Sequence, residues 1–422
     1  MMRFIHCADL HLDSPLRGLD RYEGAPADEM REATRRAFEN VVNLALEREA
    51  DFVLIAGDVF DGDLQDFRAG LFFANQLRRL GDAGIHVFIV RGNHDALSKI
   101  TKAVPWPANV RLFKASKPDT AHLDEIGVAI HGQSFATMAV SDDLGLGYPE
   151  PIPGVLNIGL LHTALSGREG HQPYAPTTVE RLNAKGYHYW ALGHVHAREI
   201  VQQDPCWIVF PGNTQGRHAR ELGAKGCMVV DANEQGVTHV EFVPTDVARW
   251  SHLAIDATGI GATDDLGSAI QAAVQRSLAD AGERVLALRL SIVGQTPLHG
   301  KLVKSPESLR ADVCAWINEV SGGMTWLEKL KVDVTAPLDL AALAARDDPF
   351  GLLVRRLDEF AADPAALLTL VETRLKDLQL KLPPELRDHE QGFDPLSREV
   401  QAEALATARE RLLAAISAED LA

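Results

Sequence analysis

Aspartate, histidine and asparagine recur in five short motifs: Asp9-Leu10-His11, Gly57-Asp58-Val59-Phe60-Asp61, Gly92-Asn93-His94-Asp95, His162, and Gly193-His194-Val195-His196. Asp-x-His alone arises by chance in many proteins, and one histidine after an apolar run is more often a satisfied polar residue than a ligand. The set carries the information. Carboxylate, imidazole and amide oxygen suit manganese, iron or zinc, and the thiolates of a structural zinc site are missing from it. The candidate ligands Asp9, His11, Asp58, Asn93, His162, His194 and His196 are too many for one ion. They fit two ions sharing a carboxylate, with positions left for water and a phosphate group. Two ions about 3.5–4 Å apart polarise a phosphoryl oxygen and lower the pKa of a bridging water toward neutrality. The pattern predicts a two-metal phosphoesterase.

Residues so far apart in sequence need elements that bring them together. Each motif follows a short apolar run: Phe4–Ala8, Phe52–Ala56, Val87–Val90, Ile158–Leu161 and Tyr189–Leu192. Near-continuous apolar runs are expected of strands covered on both faces. Gly127–Ile130, Trp207–Phe210 and Cys227–Val230 read the same way. Between the first two strands, Met30, Ala33, Ala37, Val41 and Leu44 mark a helical stripe within Asp28–Glu49, and Phe67–Leu80 reads as a second helix. Such alternation predicts an α/β layered domain, in which ligands bind beyond the carboxyl ends of the strands. Glycines at 57, 92 and 193 are expected to let the backbone turn tightly there.

A second, smaller α/β unit is expected from about Arg249, with strands at His252–Ala257, Arg284–Val293 and Thr325–Thr335 and helices at Thr263–Ala281 and Pro306–Val320. After Pro337 the pattern is helical: Leu338–Arg346, Pro349–Ala361, Pro364–Leu378 and Leu396–Ile416. The last segment has an apolar edge for packing on its own domain or docking on a partner protein. Four scattered cysteines read as free thiols in a reducing compartment, and no run is long and apolar enough to span a membrane. A cytoplasmic location is the expectation. The net charge of −17 over 422 residues opposes bulk nucleic-acid binding, unless basic residues gather locally or bound cations supply positive charge. Two local groups qualify: Lys99, Lys102, Arg111, Lys114 and Lys117 with Trp106 and Phe113, and Arg217, His218, Arg220 and Lys225. Contacts from these to phosphates would give affinity without sequence preference, and an aromatic could stack on a frayed base. A solvated lysine face, with Trp106 in the core, is the plainer reading of the first group.

The ordered set D-x-H, G-D-x-x-D, G-N-H-D, H and G-H-x-H resembles the calcineurin-like metallophosphoesterase superfamily over roughly residues 1–245. The opening Phe4-Ile5-His6-Cys7-Ala8-Asp9-Leu10-His11-Leu12 and the segment Phe210–His218 resemble the SbcD-type DNA repair exonucleases, in particular their YhaO-type branch. The resemblance implies an α/β/β/α sandwich over residues 1–247, a small α/β capping domain over 248–337 and a helical region over 338–422. It implies that Asp9, His11 and His196 bind one metal and that Asn93, His162 and His194 bind the other, bridged by Asp58. His94 would stabilise the leaving group, Asp95 would orient His94, and the role of Asp61 stays open. Manganese is the expected ion, with iron and zinc as alternatives. An SbcC-type coiled-coil ATPase is the expected partner, and a homodimer is suggested by the family alone.

The expected function is thus a metal-dependent DNA exonuclease, with endonuclease activity also open, acting in repair. Arg217 and His218 are the preferred DNA contacts, ahead of Lys99 and Lys102. A nucleotide phosphodiesterase or phosphoprotein phosphatase is the alternative enzyme, and a non-catalytic subunit anchoring an ATPase is the alternative of another class.

Overall fold

A computed structural model describes residues 1–13, 27–61, 67–97, 104–165, 174–337 and 340–363, with isolated positions beyond. Lys99, Lys102 and nearly all of the two helices expected after Asp363 lie outside the described residues. In chain order the elements are β1 (Met2–Cys7), α1 (Ala27–Glu47), β2 (Phe52–Ile55), α2 (Phe67–Asp82), β3 (His86–Ile89), β4 (Val110–Leu112), β5 (Asp119–Leu123), β6 (Val128–Gly132), β7 (Leu156–His162) and α3 (Val179–Ala184). They continue with β8 (Tyr189–Gly193), β9 (Glu199–Gln202), β10 (Trp207–Phe210), β11 (Gly226–Asn233), β12 (Gly236–Pro244), β13 (Ala248–Asp256), α4 (Thr263–Ala281), β14 (Val285–Gln295), α5 (His299–Lys304), α6 (Pro306–Ser321), β15 (Thr325–Thr335), α7 (Leu340–Ala344) and α8 (Pro349–Ala362).

Two six-stranded sheets hold the motifs. One has the order β12-β11-β1-β2-β3-β4, the other β5-β6-β7-β8-β10-β9. Within them β1–β4 run parallel, as do β6, β7, β8 and β10. The strands are apolar on both faces because both faces are covered. Val53 and Ile55 of β2 point to Phe38, Val41, Phe73 and Leu77 of the helices α1 and α2, whereas Phe52 and Leu54 join Phe4, Phe88, Ile158 and Tyr189 between the sheets. The second sheet buries Trp190, Leu192 and Ile208 against Leu182 of α3 and Tyr148. Phe4 stacks on Phe52 with centroids 4.9 Å apart and meets Tyr189 edge-on at 5.3 Å. Each such aromatic contributes about 1.5–3 kcal/mol by its burial.

His6 sits in this apolar layer, fully buried, joining the sheets through the Tyr189 hydroxyl (2.9 Å) and the Leu192 carbonyl (3.2 Å). Burial drives its pKa down to about 3, against the Leu192 hydrogen bond. The folded protein thus keeps His6 neutral while the unfolded chain takes up a proton below pH 6.5. Stability contributed by this group is present above that pH and is lost as pH falls, by about 2 kcal/mol at pH 5. Urea midpoints of the chelated protein are expected to fall more steeply between pH 7 and 5 than those of His6→Gln. Parallel profiles would refute this.

The chain divides into two compact units. One comprises Met1–Leu253, Ala273–Leu290 and Ile317–Lys329; the other comprises Ala254–Ala272, Ser291–Trp316 and the described residues from Leu330 on. The third sheet has the order β13-β14-β15. In the second unit, Asp348 caps α8 by accepting from the Gly351 amide at 2.9 Å, and Val354 packs on Leu343 and Phe350. No helix among the described residues is long and apolar enough to cross a membrane. The four cysteines are free.

Candidate metal centre

All five motifs meet at the carboxyl ends of strands from both sheets. Asp9 and His11 follow β1, Asp58 and Asp61 follow β2, Asn93 and His94 follow β3, His162 ends β7, and His194 and His196 follow β8. The exits of β1 and β2 are tied together by the Asp9 amide donating to Gly57 O and the His11 amide to Asp58 O, both at 3.0 Å. Asp9, His11, Asp58 and His194 all have positive φ (53°, 43°, 53° and 102°), a region that side-chain-bearing residues rarely adopt. Such outliers persist where the surrounding structure over-determines them. The glycines serve two ends. Gly57 supplies a φ of 96°, whereas Gly92 and Gly193 supply room: a Cβ at Gly92 would overlap the Asp58 carboxylate and the His162 ring, and one at Gly193 the Ala56 carbonyl oxygen.

The side chains form two clusters joined by one carboxylate. Asp9, His11 and His196 bring ligand atoms together, as do Asp58, His162 and His194. Asn93 Oδ1 lies 3.0 Å from His162 Nε2 and 3.2 Å from His194 Nδ1. Asp58 Oδ2 is 3.4 Å from His162 Nε2 and 3.9 Å from His11 Nε2, so it reaches both clusters. Burial opposes its charge, but the adjacent His162 and His11 rings hold its pKa far below the usual carboxylate range.

These donors fit divalent cations. His11 Nδ1 and His196 Nδ1 each lie 2.6 Å from a carboxylate oxygen, of Asp61 and Glu221 respectively, and His162 Nδ1 lies 2.8 Å from the Ala56 carbonyl. Each acceptor fixes the Nδ1–H tautomer and leaves a lone pair on Nε2. His11 Nε2 and His196 Nε2 then face one another at 3.3 Å, two lone pairs that repel unless a cation lies between them.

A family profile described as "Calcineurin-like phosphoesterase" matches residues 2–198. Residues 2–198 form a calcineurin-like phosphoesterase domain. Residues 250–335 match "Metallophosphoesterase YhaO, middle domain". The chain is 35% identical over 260 residues to "Uncharacterized metallophosphoesterase YhaO" of Bacillus subtilis, covering 61% of this chain and 64% of that protein. It is 28% identical over 213 residues to "DNA double-strand break repair protein Mre11" of Sulfurisphaera tokodaii, covering 49% and 52%. A protein of the same description from Aeropyrum pernix is 26% identical over 377 residues, covering 82% and 87%. The matched region thus spans under two thirds of the length of the first two relatives.

One residue of the phosphoesterase domain stands differently from its sequence expectation. Asp95 does not orient His94. Its carboxylate accepts from the amides of Val59 (3.1 Å), Phe60 (2.9 Å) and Gly92 (3.2 Å), pinning the β2 and β3 exits together. Burial, then the Asp58 charge, push its pKa up to about 7 against those three donors. The carboxylate beside the His94 ring is Asp61, 3.2 Å from Nδ1, which also holds His11. Adjacent residues in a tight turn point apart, so sequence proximity to His94 misled. The hydrogen bond to Asp61 raises the His94 pKa, burial opposes it, and Asp58 adds to the rise. Sequence motifs also missed Glu221. A signal was present, a lone acid amid Arg217, His218, Arg220 and Lys225.

The loop after β10 brings Arg217 to the phosphoesterase centre. Its guanidinium lies 3.8 Å from Asp61 Oδ2 and 3.7 Å from Glu221 Oε1, while His218 is exposed at the rim, 3.6 Å from Glu221. Lys225 is buried, donating to the His196 carbonyl at 2.9 Å. The other basic group offers less. Arg111 pairs with Asp119, Phe113 is buried in the layer between the sheets where no base can stack, and Trp106 packs edge-on against Phe73.

Proposed function

We propose that this chain is a metal-dependent DNA nuclease, an exonuclease with endonuclease activity also open, that hydrolyses phosphodiester bonds in repair. One observation supports the hydrolytic part. His94 is half-exposed, with Nδ1 3.2 Å from Asp61, beside two ligand clusters that share Asp58, and on this reading it protonates the leaving group. Two divalent cations held by Asp9, His11 and His196 and by Asn93, His162 and His194, with Asp58 between, would polarise a phosphoryl oxygen and activate water. Asp61, beside His94 Nδ1, would favour the imidazolium form of the ring, whose Nε2–H is then the proton delivered to the departing sugar oxygen. Arg217 adds fixed positive charge where a phosphate would sit, and His218 extends that contact along the backbone.

DNA as substrate, manganese as the activating ion and an SbcC-type ATPase as partner are inferred from the opening string and from likeness to Mre11 proteins. On this reading residues 1–247 are the nuclease domain, 248–337 a capping domain and 338–422 a helical region that meets the partner. A homodimer and a cytoplasmic location complete the proposal.

The test is release of nucleotides from linear duplex DNA with Mn²⁺, run beside a small phosphodiester and a phosphoprotein. Cleavage of the duplex is expected. Turnover of the small ester alone would remove DNA as substrate and leave a nucleotide phosphodiesterase; turnover of the phosphoprotein alone would leave a phosphatase.

A further inference from the structure

The two ligand clusters are not equally supported. His11 and His196 each set Nδ1 2.6 Å from a carboxylate, whereas His162 sets its Nδ1 2.8 Å from a backbone carbonyl. Asp9 is a charged member of the first cluster, while Asn93 beside His162 and His194 is neutral. An anionic acceptor behind an imidazole raises its basicity as a ligand. Apart from the shared Asp58, the first cluster therefore has three carboxylates, Asp9, Asp61 and Glu221, against the neutral Asn93 and the Ala56 carbonyl beside the second.

Glu221 is the least expendable of these supports, because its loop is fastened from both sides. It is buried, and its Oε2 accepts from Arg217 N (2.6 Å) and Asn213 Nδ2 (3.0 Å). Beyond it, Trp250 Nε1 donates to Gly216 O (3.1 Å), Gln215 Nε2 to Ala248 O (2.6 Å) and Val247 N to Gln215 Oε1 (2.9 Å). The guanidinium of Arg217 offsets part of the Glu221 charge, but from 3.7 Å against 2.6 Å for the imidazole hydrogen bond, so the bond dominates.

We propose that Glu221 is a positioning residue that holds His196 as a ligand and makes the Asp9–His11–His196 position the tighter of the two, filled first. This rests on the metal-centre reading above. The test is calorimetric titration of the metal-free full chain with Mn²⁺, with electron paramagnetic resonance counting unbound ion. Wild type should bind in two steps, and His162→Ala should keep the tighter one. Glu221→Gln should weaken the tighter step about 10–100-fold and leave the weaker within about twofold. Trp250→Phe, which keeps an aromatic ring but removes the donor to Gly216, should weaken the same step to a lesser degree. It carries the measurement if Glu221→Gln does not fold, as judged by circular dichroism. An unchanged tight step, or loss of the step that His162→Ala removes, overturns the inference while leaving the metal centre standing. No Mn²⁺ binding by wild type overturns both.

Discussion

Asp58→Ala is expected to empty both halves of the metal centre and abolish hydrolysis. Its carboxylate approaches the ring nitrogens of His162 and His11, one in each cluster, and its other oxygen accepts from the His94 amide at 3.0 Å. Alanine would remove a ligand from both positions at once and release the turn that carries His94. It would also remove the anion that raises the proton affinity of the buried His162 ring, so the expected loss of metal comes from the missing ligand and not from protonation of the remaining imidazoles. A fall of at least ~10³-fold in phosphodiester hydrolysis is expected, since loss of even one stabilising donor costs ~10²–10³. Metal content after gel filtration, measured by mass spectrometry, should drop to background. Retention of two ions per chain would dismiss Asp58 as the bridge.

His94→Ala should behave in the opposite way toward metal. No ligand is lost, so metal content should match wild type, while kcat on DNA falls about 10²–10⁴-fold. The deficit should depend on the leaving group. A sugar alkoxide needs the proton that His94 would supply, whereas a nitrophenolate departs without it, so nitrophenyl phosphodiesters should lose far less rate. Equal losses on both substrates would argue that His94 binds the phosphate and does not donate to the leaving oxygen. Wild-type cleavage of DNA by the variant would end its catalytic assignment altogether.

What the sequence discloses depends on how local the cause is. Thr263–Ala281 and Thr325–Thr335 are bounded as expected, because periodicity and flanking turns act within a few residues. β4, β5, β9 and β12 escape notice: they are short or lie at sheet edges, where partial exposure removes the apolar signal. The candidate ligand set stands out in the sequence because each member lies at, or a few residues past, the end of a buried strand. Its support does not, since Glu221 meets His196 only after the chain has completed β9 and β10. Phe113 looks available for stacking in a lysine-rich stretch, yet it lies just past β4 and turns into the layer between the sheets.

The left-handed backbone at Asp9, His11, Asp58 and His194 sets activity against durability. Glycine would sit at each of these positions without the ~1–2 kcal/mol that a side chain costs there. The residues best suited to the backbone are therefore those that cannot hold a cation. Selection of this protein for heat resistance alone would tend to erase its chemistry, beginning at the strand exits. Divalent cations that bind only the folded chain would act in the other direction, raising its melting temperature with their concentration, so an ion that activates the centre would also preserve it.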